Sequence, residues 1–508
     1  MINLKEGTTT NSAQKDDYFQ HPISFTQYIS QEPLMNHGHV LQYFAEITTI
    51  PRPSGHEEKM REYLLSFAES HGLFAKEDAA GNVCIRKPAA AGFECSVAVV
   101  LQAHMDMVCE KDPAKAINFQ TDPIETVTEG DWIHACGTTL GADNGIGIAL
   151  ALDVLAADIP AGPIECVFTV EEETGLTGAE AIASDFFTGK MLINLDSEEE
   201  GSICTGCAGG VETFAAIVRE PRAAPMNNVY YRLDIDGLTG GHSGTDIHRG
   251  RANAIKILAA FLHRLTNAAV CELSGGNLIN AIPRHATAVF GVPPERTAEV
   301  ERMFAQFEEE MTDAWNSTDP GISLALLPES PREEMIPSAA EIIGALDACP
   351  NGVLAMSRTI PGLVQTSTNL SSIRMQGRSL IIATFQRSVV EAEKHEASKM
   401  VAEVFQKCGA EITIKSEYPG WTPDPSSPLL QTAVAVYENL FGKEPAITAT
   451  HGGLECGLFR RNYPALDIIS IGPNILGAHS PKEQLQISSV EKVRLFLAEL
   501  LRETGTAA

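Results

Sequence analysis

The sequence predicts a two-part α/β protein in which a mostly parallel sheet is interrupted by an inserted α+β segment over residues 209–418. Three observations lead there. Short β-branched runs alternate with amphipathic helical patterns up to about residue 205, the grammar of a parallel sheet covered on both faces. Near Gly209-Gly210 the order changes to β-α-β-β-α-β. Alternating βα character returns after Tyr418-Pro419-Gly420-Trp421, so the last segment rejoins the first domain.

Residues 1–24 are polar and without periodicity, and read as a disordered tail. Residues 40–47 read as a helix, which Pro51-Arg52-Pro53-Ser54-Gly55 ends, and Met60, Tyr63, Leu64 and Phe67 then share one face of a second helix. Residues 97–101, 166–170, 191–195 and 468–471 are apolar runs with the length and composition of buried strands, and residues 146–157 read as a helix. In the middle segment, strands at 230–236, 270–273, 286–292 and 322–327 and helices at 252–265 and 295–315 describe a small self-contained sandwich. Strands at 363–373, 380–385 and 411–415 with a helix at 389–405 predict a second, related lobe. A helix at 428–440 opens the return. The expected division is a tail over 1–24, a main domain over 25–208 and 419–508, and an inserted lid over 209–418.

The chain has 508 residues and a formal charge of −29, from 66 acidic and 37 basic residues. Nucleic-acid binding needs a basic footprint to displace counterions from phosphates, and no cluster of Lys and Arg supplies one. An acidic surface also disfavours polyanionic substrates and tolerates small zwitterionic ones. No apolar run approaches the roughly 20 residues that span a bilayer, so no membrane partner is expected. The N-terminus carries Lys5, Glu6, Lys15, Asp16 and Asp17 with no apolar core before a cleavage site, and a cytoplasmic location follows as the expectation. Eleven cysteines, odd in number and irregularly spaced, fit reduced thiols, and Cys204-Thr205-Gly206-Cys207 lacks the second pair of a zinc knuckle.

Metal-binding residue types recur where these strands end: His104 in His104-Met105-Asp106, Glu173 in Glu171-Glu172-Glu173, Asp196 after residues 191–195, and His479 beyond residues 468–471. In an open α/β sheet such positions converge on one crevice. Singly, each has a bland reading as a surface residue or helix cap. Asp143, in Gly141-Ala142-Asp143-Asn144-Gly145, opens a helix between glycines that let the backbone approach closely; a cap would satisfy it, but the glycine crowding favours a metal ligand. Three adjacent carboxylates at 171–173 repel one another unless cations neutralise them. Histidine with carboxylates suits zinc, manganese or cobalt better than calcium.

These motifs resemble the two-zinc metallopeptidases that include carboxypeptidase G and aminoacylase. Gly240-Gly241-His242-Ser243-Gly244, Asn280-Ala281-Ile282-Pro283-Arg284, His451-Gly452-Gly453-Leu454-Glu455-Cys456-Gly457 and Gly477-Ala478-His479-Ser480-Pro481 are similar to those of its aminoacyl-histidine dipeptidase branch, over residues 32–502. The resemblance implies a zinc-peptidase-like catalytic domain with a mostly parallel sheet, plus an inserted two-lobed α+β lid domain. It implies two divalent ions, Zn2+ with Co2+ or Mn2+ as substitutes. Asp143 would bridge them, His104 and Asp196 completing one site and Glu173 and His479 the other. Asp106 would orient His104, and Glu172 would be the general base toward a water held between the metals. His242 would hydrogen-bond the oxyanion, either within its own chain or across a homodimer. Arg387 with the backbone at Gly453 would clamp the substrate carboxylate, and Asn280 matches a lid asparagine that approaches substrate, with a buried structural Asn as its alternative. Arg374, His134, His248 and His451 carry no assigned role. The implied substrates are unblocked dipeptides, preferentially Xaa-His such as β-alanyl-histidine. The rivals are another amide hydrolase, an aminoacylase or broad-specificity dipeptidase, and a non-catalytic binding protein of the same fold; the presence of all five donors and Glu172 speaks against the last.

Overall fold

The computed structural model describes residues 23–24 and 39–506. Most of the expected tail lies outside them, but Ile23 and Ser24 form a short strand paired with Thr128 and Val127, so the sheet-forming chain begins before residue 25.

Helices α1 (Val40–Ile47) and α2 (Glu58–Ser70) form where the apolar period is helical, burying Val40, Leu41, Phe44 and Ile47 and then Met60, Leu64, Phe67 and Ala68. The strands are β1 (Phe74–Glu77), β2 (Val83–Lys87), β3 (Val99–His104), β4 (Ile164–Thr169), β5 (Met191–Asn194) and β6 (Ser202–Cys207), with α3 (Ala142–Ala156) between β3 and β4 and α4 (Thr177–Ala181) between β4 and β5. All six residues of β3 and of β4 are buried, as expected of parallel strands covered on both faces. His104 is the last residue of β3, so its strand runs further than the apolar stretch alone suggests.

The inserted segment carries β7 (Gly209–Val218), β8 (Val229–Asp236), α5 (Ala254–Arg264), β9 (Ala269–Gly275), β10 (Ala286–Val292), α6 (Thr297–Trp315), β11 (Ser323–Glu329), α7 (Ala339–Ala348), β12 (Val364–Gln376), β13 (Ser379–Ser388), α8 (Glu391–Gln406) and β14 (Glu411–Tyr418). The two related lobes are present, but the first is not the self-contained sandwich expected from sequence. All these strands lie in one antiparallel sheet of order β11-β8-β10-β9-β12-β13-β7-β14. Each half has the same winding. The first half, β8-α5-β9-β10-α6-β11, takes the order fourth-first-third-second strand, and so does the second, β7-α7-β12-β13-α8-β14. The halves meet edge to edge through their second strands, β9 and β12, at Gly275 and Ile373. Because the entire first half is inserted between β7 and α7, the second is discontinuous in sequence and reads incomplete there. One apolar cluster unites Leu258 and Phe261 of α5, Phe307 of α6, Ile342 of α7 and Phe405 of α8 with the strands beneath.

After the lid come α9 (Pro428–Phe441), β15 (Ala446–Thr450), α10 (Glu455–Asn462), β16 (Asp467–Ser470) and α11 (Ile487–Thr506). The completed sheet has the order β1-β2-β4-β3-β5-β16-β6-β15, parallel from β4 through β16 and again between β6 and β15. The chain enters and leaves the lid side by side. Cys207 N–H donates to the Trp421 carbonyl and Trp421 N–H to the Cys207 carbonyl, both at 2.9 Å. A Cβ on Gly209 would lie 2.4 Å from Gly420 N, so this crossing requires glycine.

Candidate metal centre

The five donors converge on one edge of the catalytic sheet. His104 Nε2 lies 3.0 Å from Asp143 Oδ1 and 3.3 Å from Asp196 Oδ1. His479 Nε2 lies 3.1 Å from Asp143 Oδ2 and 3.1 Å from Glu173 Oε1. The two oxygens of Asp143 thus face two different sets of donors, as a bridging carboxylate does. Asp143 (φ −79°, ψ 110°) and Asn144 (φ −108°, ψ 31°) interrupt the helical backbone at the start of α3.

These donors fit divalent ions. Two ligand atoms about 2.0–2.1 Å from one tetrahedral zinc lie about 3.3–3.4 Å apart, the scale of the spacings here. Glu173 Oε1 is buried and accepts no hydrogen bond, although His479 Nε2 is 3.1 Å away. The two atoms point to a common place instead of at each other. The hydrogen bond to Asp143 and the adjacent Glu173 carboxylate push His479 up to about 11. Burial opposes a charge on His104, but Asp196, Asp106 and Asp143 raise its pKa well above the ordinary value. A proton on either imidazole occupies the position a cation would take, so both shifts register the negative field that awaits one.

Of the three adjacent glutamates only two face the site. Glu171 adopts a left-handed backbone with φ of 51°, and its carboxylate turns away to accept a hydrogen bond from Thr177. Glu172 stands beside Glu173, and burial, with Asp196, Glu173 and Glu455 nearby, pushes its carboxyl well above the ordinary range. Two cations at the site would draw it back down. Asp106 holds the arrangement from below: Oδ1 is 3.3 Å from His104 Nδ1 and accepts from Glu172 N–H at 3.0 Å, while Oδ2 accepts from Glu173 N–H at 3.1 Å and Ser54 Oγ at 2.7 Å.

Two supporting residues were missed in the sequence. The buried Arg52 guanidinium donates to the carbonyls of Met105 at 2.9 Å, Asp106 at 2.7 Å and Gly141. A Cβ on Gly141 or Gly145 would meet Arg52 Nη2 at 2.7 Å. Gly141 and Gly145 therefore make room for Arg52. Glu483 accepts hydrogen bonds from the four backbone N–H groups of residues 140–143. Arg52 had one sequence signal, its place between two prolines, and Glu483 had none. Deeper still, Glu455 receives Gln102 Nε2 at 2.5 Å and Thr169 Oγ1 at 2.9 Å, and burial lifts it to about 8.

The lid contributes a second cluster. Nδ1 of His242 accepts from the N–H groups of Gly244 at 3.3 Å and Thr245 at 3.2 Å, which places its proton on Nε2. Burial and the Arg387 charge lower the His242 pKa to about 4, so the ring is neutral. Its Nε2 lies 3.4 Å from Arg387 Nη2; two donors thus converge, calling for a shared acceptor. Asn253 caps α5, since its side chain accepts from Ile255 and Lys256 N–H. Arg387 is 4% exposed, gives Nη1 to Tyr418 Oη at 2.8 Å and leaves Nε without an acceptor. Among the described residues no carboxylate lies within ion-pair distance of it. A Cβ on Gly453 would stand 2.9 Å from the Tyr418 ring, so Gly453 lets its backbone pack against the tyrosine that bonds Arg387. The charge of His479 is among those that lower the His242 pKa, and that of Glu172 among those that raise Tyr418. Asn280 is exposed, which overturns its buried alternative; its carbonyl accepts from Ser243 N–H at 2.7 Å in the loop that pairs Ala281 with His242. His451 is buried against Ser367 Oγ at 2.7 Å.

Known proteins share this architecture. The chain is 40% identical over 489 residues to the cytosol non-specific dipeptidase of Escherichia coli, covering 95% of this chain and 99% of that one. The crystal structure of aminoacylhistidine dipeptidase from Vibrio alginolyticus matches with a TM-score of 0.82 at 37% identity, over 91% of this chain and 96% of the other. A tripeptidase from Staphylococcus aureus, 17% identical, matches 93% of this chain and 100% of its own with a TM-score of 0.56 and shares the fold. Residues 100–503 match the model of peptidase family M20/M25/M40, and with its relatives so similar over nearly their full length the chain belongs to that family of peptide-bond hydrolases.

Proposed function

We propose that the protein is a two-metal dipeptidase of the cytoplasm that hydrolyses unblocked dipeptides, with Xaa-His such as β-alanyl-histidine as the preferred class. The dipeptidase assignment rests on family and relatives. The observation that carries the two-metal reading is the Asp143 carboxylate, whose oxygens face His104 with Asp196 on one side and His479 with Glu173 on the other. When bound, two divalent cations, Zn2+ foremost, would polarise the scissile carbonyl and acidify a water. Glu172, beside the donors without being one, takes the proton of the attacking water and returns it to the leaving amine. The neutral His242 ring offers Nε2–H to the developing oxyanion. Arg387, with the backbone at Gly453, holds the substrate carboxylate in the lid, and the exposed Asn280 lies on the loop that carries His242. No helix among the described residues is long and apolar enough to cross a membrane.

A broad-specificity dipeptidase is the second reading, favoured by the name of the Escherichia coli relative. The test is kcat/KM over a panel of free dipeptides, with N-acetylated and C-terminally amidated controls and metal analysis of the active enzyme. Xaa-His preference with two ions per chain supports the first reading. Uniform turnover of free dipeptides selects the second, and fewer than two ions or equal turnover of blocked substrates removes the proposed mechanism.

A further inference from the structure

Glu483 is a buried carboxylate, 2% exposed, with no cation within ion-pair distance among the described residues. Its oxygens instead gather four consecutive backbone N–H groups: Oε2 accepts from Leu140 at 2.8 Å and Gly141 at 3.0 Å, Oε1 from Ala142 at 2.7 Å and Asp143 at 3.2 Å. Gly141, Ala142 and Asp143 among these donors open α3, where no intrahelical acceptor exists, so a single side chain satisfies most of the helix start. On the carbonyl side of the same turn, Arg52 binds Gly141 and reaches across to Met105 and Asp106, next to His104. The turn that presents Asp143 is therefore held from both faces.

Position adds the second half of the argument. Glu483 follows His479 by four residues and lies 340 residues from Asp143 in sequence. One short loop after β16 delivers His479 to the crevice and, through Glu483, grips the backbone of the residue that His479 faces. A buried carboxylate close to Asp143 raises the negative potential of an already acidic site. Such a cost is retained where the group fixes something.

We infer that Glu483 is a positioning residue of the metal centre, locking Asp143 in its bridging pose and tying that pose to the loop of His479. This rests on the two-metal reading above. Glu483→Gln keeps size and shape but turns an amide NH2 toward backbone donors, so two of the four hydrogen bonds become donor against donor. The stepwise dissociation constants for Zn2+ are measured for wild type and variant by competition with a chromophoric chelator, alongside the thermal midpoint of each metal-depleted protein. At least one constant is expected to weaken about 10–100-fold, as for other groups that orient metal ligands, with kcat recovered at saturating zinc. Unchanged constants overturn the inference, including the case in which the midpoint falls and affinity does not, the mark of a merely structural residue. Should the Gln variant not fold, Glu483→Asp, which keeps the charge but draws it back by one methylene, is held to the same readouts. A wild type that binds one ion overturns the two-metal reading alone, because the shift of that single constant still decides the role of Glu483.

Discussion

Replacing Arg387 by Met separates a substrate clamp from a structural arginine, because the two roles predict opposite changes. The guanidinium is buried, has no carboxylate partner among the described residues, and has two donors uncommitted, Nε without an acceptor and Nη2 facing the Nε2–H of His242. A buried, unpaired charge is a liability to the free protein. A substrate carboxylate removes that liability through two charge-assisted hydrogen bonds, each worth about 1.5–3 kcal/mol. Allowing for the Tyr418 and Phe385 contacts that remain available to the arginine without substrate, about 3 kcal/mol is specific to the carboxylate, on the order of 10²-fold in kcat/KM. The contact is present in ground and transition states alike, so the loss should fall on KM. The assay is steady-state kinetics of wild type and Arg387→Met on β-alanyl-histidine and its C-terminal amide. The wild type should already handle the amide poorly, and the mutation should cost the free dipeptide far more than the amide, with a thermal midpoint unaltered or higher. Equal losses on both substrates, or a lowered midpoint with kcat/KM intact, would refute the clamp.

Glu172→Ala should keep both metal ions and the fold while kcat drops by about 10² or more, checked by turnover and elemental analysis; lost metal with kcat intact would mean that Glu172 and Glu173 exchange roles. His242→Ala should lower kcat by about 10²–10³ at unchanged metal content, whereas a fall in thermal midpoint with kcat intact would make it a structural residue. His451, held down to about 3 by burial and the Arg387 charge, contributes a pH dependence of known sign. Below its unfolded pKa of about 6.5 the unfolded chain binds a proton that the folded state refuses, so stability present at neutral pH is lost as pH falls through that value, by about 1–2 kcal/mol between pH 6.5 and 5. Denaturant titrations of His451→Gln should show that slope reduced, and an identical slope would refute the assignment.

The metal donors were legible because each stands where a recognisable strand or helix begins or ends, and parallel topology carries such positions to one edge. Local pattern sufficed for His104 at the end of β3 and for Glu172 and Glu173 just beyond β4. What was not legible acts through long reach. Arg52 and Glu483 bond backbone groups 53 and 340 or more residues away, and no periodicity records such a contact. The glycines flanking Asp143 were correctly read as sites of close approach, yet what approaches is Arg52. The internal symmetry of the lid was only half visible, since β7 is parted from its own lobe by the whole of the other.

The paired crossing at Cys207 and Trp421 has a bearing on how the chain folds. The catalytic sheet cannot be completed until β16 arrives to pair with β5, and everything between them must first be made. Bringing together the ends of a flexible loop of about 200 residues, rather than a handful, would cost about 3–4 kcal/mol in chain entropy. A lid that folds first, as a unit, leaves residues 207 and 421 one hydrogen bond apart and delivers the second half of the sheet to the first at no further entropic expense. A lid that folds as a unit would thus bring the last segment into register and let His479 join the four donors that precede the lid.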